Sequence, residues 1–261
     1  MTEARSRKKQ ARHSNGKGSD EIARIVQSLP MNILALDTSM GVCGAAVLLA
    51  GGDAQRTLLC EESMARGHAE ALMPMVAEAM AGAGIGFAEI DVIAATLGPG
   101  SFTGVRIAIG AARGFALVTK AKLWGTDSLT VMARAALTSG AIGSGTPFAV
   151  AVDARGDRLY AGFYDGEGRK LDGPLLIGAD EAAALLPNEL AIAVGSGAVH
   201  LAEAARRQGR QVEAMRPDLQ PSAASLAELA LEANETLSTL RPLYLCPPDA
   251  KPQAAMAVAR R

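Results

Sequence analysis

Apolar positions along the chain fall into two successive sets of short runs and helical stripes, each set following the same plan. Residues 32–36 form a continuous apolar run that stops at Asp37-Thr38-Ser39. Residues 41–50 form a second and 54–60 a third, with Gly51-Gly52-Asp53 between them as a hairpin turn signal. From His68 the period changes: Leu72, Met75, Val76 and Met80 recur at three and four residues, which is one face of a helix. Pro74 falls inside that helix and predicts a kink or a missing backbone bond, and Gly82 and Gly84 end it. Residues 90–95 read as a buried strand, 104–118 as a helix of small residues, 122–125 as a strand, and a helix capped by Asp127 or Ser128 runs to Leu137. Residues 139–147 have linker composition. The plan then restarts. An apolar run at 148–152 ends in Asp153-Ala154-Arg155, an alternating strand covers 159–164, and Asp165-Gly166-Glu167-Gly168 turns into another strand. A helix from Asp180, a strand at 191–194, helices at 198–208 and from Ser222, and an extended tail at 241–245 follow.

Each half therefore opens strand–Asp–hairpin and continues with alternating helices and strands, a pattern that predicts a mixed sheet flanked by helices. Two such units in one chain predict an α/β protein with the duplicated actin-like (ribonuclease H-like) fold of two mixed-sheet subdomains. The expected division is a disordered basic extension at 1–30, subdomains at 31–138 and 148–246 joined by the linker, and a tail at 247–261.

Composition changes this picture little. The 261 residues are 49% hydrophobic and only 3% aromatic, so elements should pack closely through Ala and Gly. No apolar run approaches the roughly 18 residues of a membrane span, so no membrane association is expected. Cys43, Cys60 and Cys246 lie far apart without metal-ligand spacing, which predicts reduced thiols and a cytoplasmic protein. Charge is uneven: residues 1–30 carry seven basic and three acidic side chains, the remainder 19 and 24. The extension has the composition of a disordered segment. It is expected to be dispensable, with Met31 as the working start.

The most distinctive stretch is Gly98-Pro99-Gly100-Ser101-Phe102-Thr103-Gly104, between a buried strand and a helix. Its glycines permit positive φ, and Ser101 or Thr103 can cap the helix that follows. A helix N-terminus of this kind favours anions, but the loop has neither the Gly-Lys-Ser/Thr ending of a P-loop nor G-x-G-x-x-G spacing. A capped turn without a ligand is the expected reading.

Five ordered motifs resemble the TsaB family, also called YeaZ: Ile33-Leu34-Ala35-Leu36-Asp37-Thr38-Ser39, His68 with Leu72-Met73-Pro74, the 98–107 loop, Asp153-Ala154-Arg155, and Pro242-Leu243-Tyr244-Leu245. The resemblance covers about residues 31–246. It implies an accessory subunit of the bacterial machinery that transfers threonylcarbamoyl to adenosine 37 of tRNAs reading codons that begin with A. The implied partners are a TsaD-like paralogue and, in the assembled complex, a TsaE-like ATPase. A homodimer is implied when the chain is alone, and tRNA is met only through the complex.

Weighed residue by residue, independent chemistry finds little support. TsaD-like chains carry an H-x-x-x-H metal pair, whereas here His68 is followed four residues later by Leu72, so no metal and no cofactor are expected. Phosphate loops of this fold read Asp-x-Gly. Asp37-Thr38-Ser39 has Ser at that place and Asp153-Ala154-Arg155 has Arg. Asp37, Ser39 and Asp153 are thus vestigial nucleotide-site candidates that either cap turns or orient a magnesium-bound water. Gly195-Ser196-Gly197 resembles an adenosine-side loop only weakly. Ser101 lies outside a G-x-S-x-G elbow and has no evident base, so no catalytic residue is assigned. The rival reading, an ATP-dependent transferase or M22-like peptidase active on its own, would use Asp37 and Asp153. For the partner interface the resemblance points to the two helices. The residues chosen are His68, Leu72, Met75, Val76 and Met80 on the first, and Arg106, Ala108, Gly110, Ala111 and Gly114 on the second. Small residues let helices approach closely, and Arg106 and Arg113 are expected at the edge as helix-terminal or intersubunit charge partners.

Overall fold

A computed structural model of the chain describes residues 30–51, 54–143 and 145–245. The extension at 1–29, the turn residues Gly52 and Asp53, Ser144, Cys246 and the tail at 247–261 lie outside the described residues. Strands β1 (Met31–Asp37), β2 (Val42–Gly51) and β3 (Ala54–Ser63) form an antiparallel meander. Helix α1 (His68–Ala83) leads to β4 (Val92–Thr96), which pairs parallel with β1, and α2 (Phe102–Thr119) leads to β5 (Lys122–Thr126), parallel with β4. The strand order is β3-β2-β1-β4-β5. After α3 (Ser128–Thr138), strands β6 (Phe148–Ala154), β7 (Arg158–Tyr164) and β8 (Lys170–Gly178) form a second meander. Helix α4 (Ala179–Leu185), β9 (Ile192–Val194), α5 (Ala198–Arg207), β10 (Glu213–Met215) and α6 (Ala223–Glu232) follow. The second sheet has the order β8-β7-β6-β9-β10, the same order as the first, and the actin-like duplication is complete.

The central strands are apolar on both faces because helices cover both faces. Leu34 and Leu36 of β1 pack with α1 and α2, while Ile33 and Ala35 pack with α6. In the second sheet Ala149 and Ala151 face α4 and α5, and Phe148 and Val150 face α3. Helices α3 and α6 therefore lie between the sheets. Asp127 caps α3 through the Thr130 N–H at 2.9 Å and also pairs with Lys170 of β8.

Three expectations are corrected. The second lobe does not run to residue 246. Helix α6 returns to the first sheet, Leu237 bridges to Leu123 on β5, Leu240 is buried in the first lobe's core, and the Leu243 N–H donates to the Leu97 carbonyl at 2.7 Å. Strand β10 was not expected, since its three residues carry no apolar run. Helix α2 is 18 residues long with a mean hydropathy of 1.2, long and apolar enough to cross a bilayer. Its buried stripe, Val105, Ala108, Ile109 and Ala112, packs on the first lobe's own sheet. Pro74 lies inside helix α1 as expected, and with no N–H it leaves one helical backbone bond unmade.

Candidate functional site

The end of β1 is sealed. Asp37 is 1% exposed, and its carboxylate accepts from the Ser39 N–H at 3.2 Å and the Ser39 hydroxyl at 3.0 Å. Burial pushes its pKa up to about 6. The Ser39 hydrogen bonds offset part of that rise, and the charge of Glu61 adds to it.

The glycine loop lies directly on this turn. A Cβ on Gly100 would stand 2.2 Å from the Ser39 carbonyl oxygen, and one on Gly104 would stand 2.0 Å from the Thr38 carbonyl oxygen. The Ser101 N–H donates to the Ser39 carbonyl at 2.7 Å. The Thr38 hydroxyl donates to the Gly104 carbonyl at 2.6 Å and accepts from the Ala108 N–H at 3.2 Å, so it links β1 to the first turns of α2. Of the two candidates Ser101 is the cap, accepting from the Gly104 N–H at 3.3 Å. Gly98, at φ 99°, is the loop glycine that needs positive φ; Gly100 and Gly104 are required by backbone contact instead. On its far side the loop is tied to α3: Ser128 donates through its N–H to Gly98 and through its hydroxyl to Pro99. The backbone approach that an Asp-x-Gly loop offers to phosphate is here occupied by the protein's own chain.

Asp153, at the matching end of β6, is in a different state. Its carboxylate is half-exposed and meets His200 Nδ1 at 2.9 Å, while its N–H donates to the Ser196 hydroxyl at 3.0 Å. A Cβ on Gly197 would stand 3.2 Å from the Asp153 backbone nitrogen and from its carboxylate oxygen, so Gly195-Ser196-Gly197 serves this turn. Asp153 lines a cavity of about 820 Å³ between the lobes. Ser39 lines it too, and Asp37 lies beneath its wall. Among the described residues no three His, Cys, Asp or Glu side chains cluster in a way that would hold a metal.

The interface residues chosen from sequence divide. Leu72, Met75, Val76 and Met80 of α1 and Ala108 of α2 are buried in the first lobe's own core. Their helical stripe is the inward one, because it is the more apolar of the two faces. His68 turns its Nε2 to the Met40 carbonyl at 3.0 Å. Ala111 is half-buried against the core. Gly110 and Gly114 are exposed, with nothing within 4 Å of where a Cβ would be. The outer surface also carries Met73, Leu117 and Val118, the last two 83% and 84% exposed, which the sequence reading missed. Met73 falls between the buried positions Leu72 and Met75 of α1, whereas Leu117 and Val118 lie beyond the last buried position of α2, Ala112. Within the chain, Arg113 donates to the Leu240 carbonyl, and the Arg106 guanidinium lies 3.3 Å from the centroid of the Phe102 ring.

Comparison with known proteins converges with this geometry. Residues 61–240 match the family model of TsaD, tRNA N6-adenosine threonylcarbamoyltransferase. The tRNA threonylcarbamoyladenosine biosynthesis protein TsaB of Haemophilus influenzae is 35% identical over 130 residues, 50% of this chain and 52% of that protein. The TsaB of Escherichia coli is 35% identical over 134 residues, 51% of this chain and 55% of that one. The matches thus span about half the length of these curated relatives. The solved structure of YeaZ from Pseudomonas aeruginosa is 31% identical and superposes with a TM-score of 0.69 over 82% of this chain and 100% of its own.

The chain belongs to the TsaB (YeaZ) family.

In this TsaB-family chain the hallmark loop is a structural seal. Gly100 and Gly104 bring α2 onto the end of β1, and the Gly98 and Pro99 carbonyls tie the same loop to α3 by accepting from Ser128. Met73, Leu117 and Val118 remain exposed on α1 and α2, and a cavity opens between the lobes.

Proposed function

We propose that this protein is a non-catalytic scaffold subunit in the synthesis of threonylcarbamoyladenosine at position 37 of tRNA. It supports a TsaD-like transferase through the outer surface of α1 and α2. The observation that carries the reading is the pairing of a closed end of β1 with an open, small-residue helix surface. The Asp37 carboxylate is buried beneath the glycine loop, while Gly110 and Gly114 face open space and Met73, Leu117 and Val118 are exposed on the same two helices. Small residues admit a second helix at close range, and exposed apolar side chains on a soluble lobe mark association. The same surface serves a homodimer when the chain is alone. A TsaE-like ATPase joins the complex, and tRNA is engaged only within it, in the cytoplasm. The rival reading, an enzyme active on its own, is separated by assay: threonylcarbamoylation should require both this chain and its TsaD-like partner, and neither alone should turn over.

A further inference from the structure

We propose that, within the complex, this chain itself touches the sugar–phosphate backbone of the tRNA, through a cationic groove at the C-terminal end of α2. The inference rests on the scaffold reading and adds a contact to it. The groove measures about 540 Å³ and is lined by Arg113, Lys120 and Lys122, with the hydroxyl-bearing Thr236, Ser238 and Thr239 of the returning segment. No carboxylate lines it. Among the described residues neither lysine forms an ion pair. Carboxylates at this end of the lobe are engaged by backbone: Asp91 accepts from the Asn32 N–H at 2.8 Å, and Glu89 from the Gly86 N–H at 2.7 Å. Arg113 is held in place by donating to the Leu240 carbonyl. A lysine at a helix end offsets the dipole, and one on an edge strand guards against stray pairing. Lys120 and Lys122 meet those two needs singly, but together with Arg113 and three hydroxyls they form the donor set that phosphate oxygens take.

Position favours a long polyanion over a small one. The Lys122 N–H donates to the Asp91 carbonyl at 2.8 Å, and the Asp91 N–H to the Asn32 carbonyl at 2.9 Å. Lys122 is therefore two strands, about 10 Å, from where residues 1–30 join the first sheet with their seven basic and three acidic side chains. Positive charge thus continues beyond the groove. On its other side the groove shares Leu117 with the helix surface assigned to the TsaD-like partner, which puts a tRNA held by that partner within reach. Because β4 and β5 run parallel, this end of the sheet is opposite the glycine loop and the inter-lobe cavity. Contacts of this kind carry no sequence information; they add affinity and hold the tRNA in position.

Fluorescence anisotropy of a labelled tRNA that reads codons beginning with A tests this, with the full chain, its TsaD-like partner and their mixture at salt concentrations from about 50 to about 200 mM. Adding the chain should tighten the partner's hold on the tRNA. Lys120→Gln with Lys122→Gln should weaken binding by the mixture about tenfold at the lower salt and reduce the slope of log affinity against log salt by about 2. Melting temperature and co-elution with the partner should stay unchanged, and Lys120→Arg with Lys122→Arg should keep full affinity. Affinity and slope unchanged in the folded glutamine variant would overturn the proposal, and loss of co-elution would assign the groove to the protein partner instead. If the unmodified chain and its partner do not pair, the scaffold reading fails separately. The groove is then judged on the chain alone at about 50 mM salt, where tRNA binding that is absent, or untouched by the glutamine variant, would overturn it.

Discussion

Gly104 lies against Thr38 so closely that a methyl group on its Cα would stand 2.0 Å from the Thr38 carbonyl oxygen. The obstacle is backbone at the end of a central strand, which has no rotamer by which to yield. Gly104→Ala is therefore expected to destabilise the fold by about 3 kcal/mol or more, at the upper end of overpacking costs. Gly110→Ala, where the added methyl meets open space, should be neutral or stabilising by up to ~1 kcal/mol, from helix propensity. Urea unfolding of the two variants side by side checks the contrast.

Asp37 makes stability depend on pH in an unusual direction for a carboxylate. Its folded pKa of about 6 stands above the ordinary 3.8, so the folded protein holds the proton more tightly than the unfolded chain does. The stabilising contribution is complete below about pH 4 and is lost as the pH rises through 6. The span corresponds to about 3 kcal/mol as an order of magnitude. Asp37→Asn is expected to be more stable than wild type at pH 8, with the gap closing toward pH 4. Thermal melts across that range test it, and a gap that widens toward acid would contradict the assignment.

Glu61 joins an edge strand to the returning helix. Its Oε1 accepts from the Ala223 N–H at the start of α6 at 2.6 Å, and its side chain crosses Gly44, where a Cβ would stand 2.7 Å from Glu61 Cγ. Glu61→Ala should cost about 1 kcal/mol, the usual value of a lost helix cap. Gly44→Ala displaces the same side chain and should lower stability in the same way. If the two effects share this cause, the double variant will lose less than the sum, as a double-mutant cycle would show.

Much of this architecture was legible because its signals are local. The strand–Asp–hairpin plan, the change of period at His68 and the capping residues Ser101, Asp127 and Ser222 all appear where the spacing places them. What sequence could not supply was direction and return. Periodicity identifies Leu72, Met75, Val76 and Met80 as one stripe but does not say whether that stripe meets a partner or the protein's own sheet; burial against Leu34 and Leu36 decides it. Likewise nothing local announces that residues 223–245 go back to the first lobe, or that Tyr244 meets Phe102 across 142 positions of chain, because such contacts are made only when the whole fold closes. The role of Gly100 and Gly104 was hidden for the same reason: the atoms they approach belong to Ser39 and Thr38, more than sixty residues earlier.

The central claim is that the outer surface of α1 and α2 is where this protein meets its TsaD-like partner, and Gly110→Arg tests it most directly. The substitution points into open space in the free chain, so the monomer should keep its circular dichroism spectrum and melting temperature. An unpaired guanidinium buried in a helix–helix contact costs several kcal/mol as an order of magnitude, and a micromolar pairing holds only about 8 kcal/mol. Co-purification with the TsaD-like partner is therefore predicted to be lost, together with threonylcarbamoylation by the mixture. A folded Gly110→Arg protein that still co-elutes with the partner and supports full activity would contradict the account.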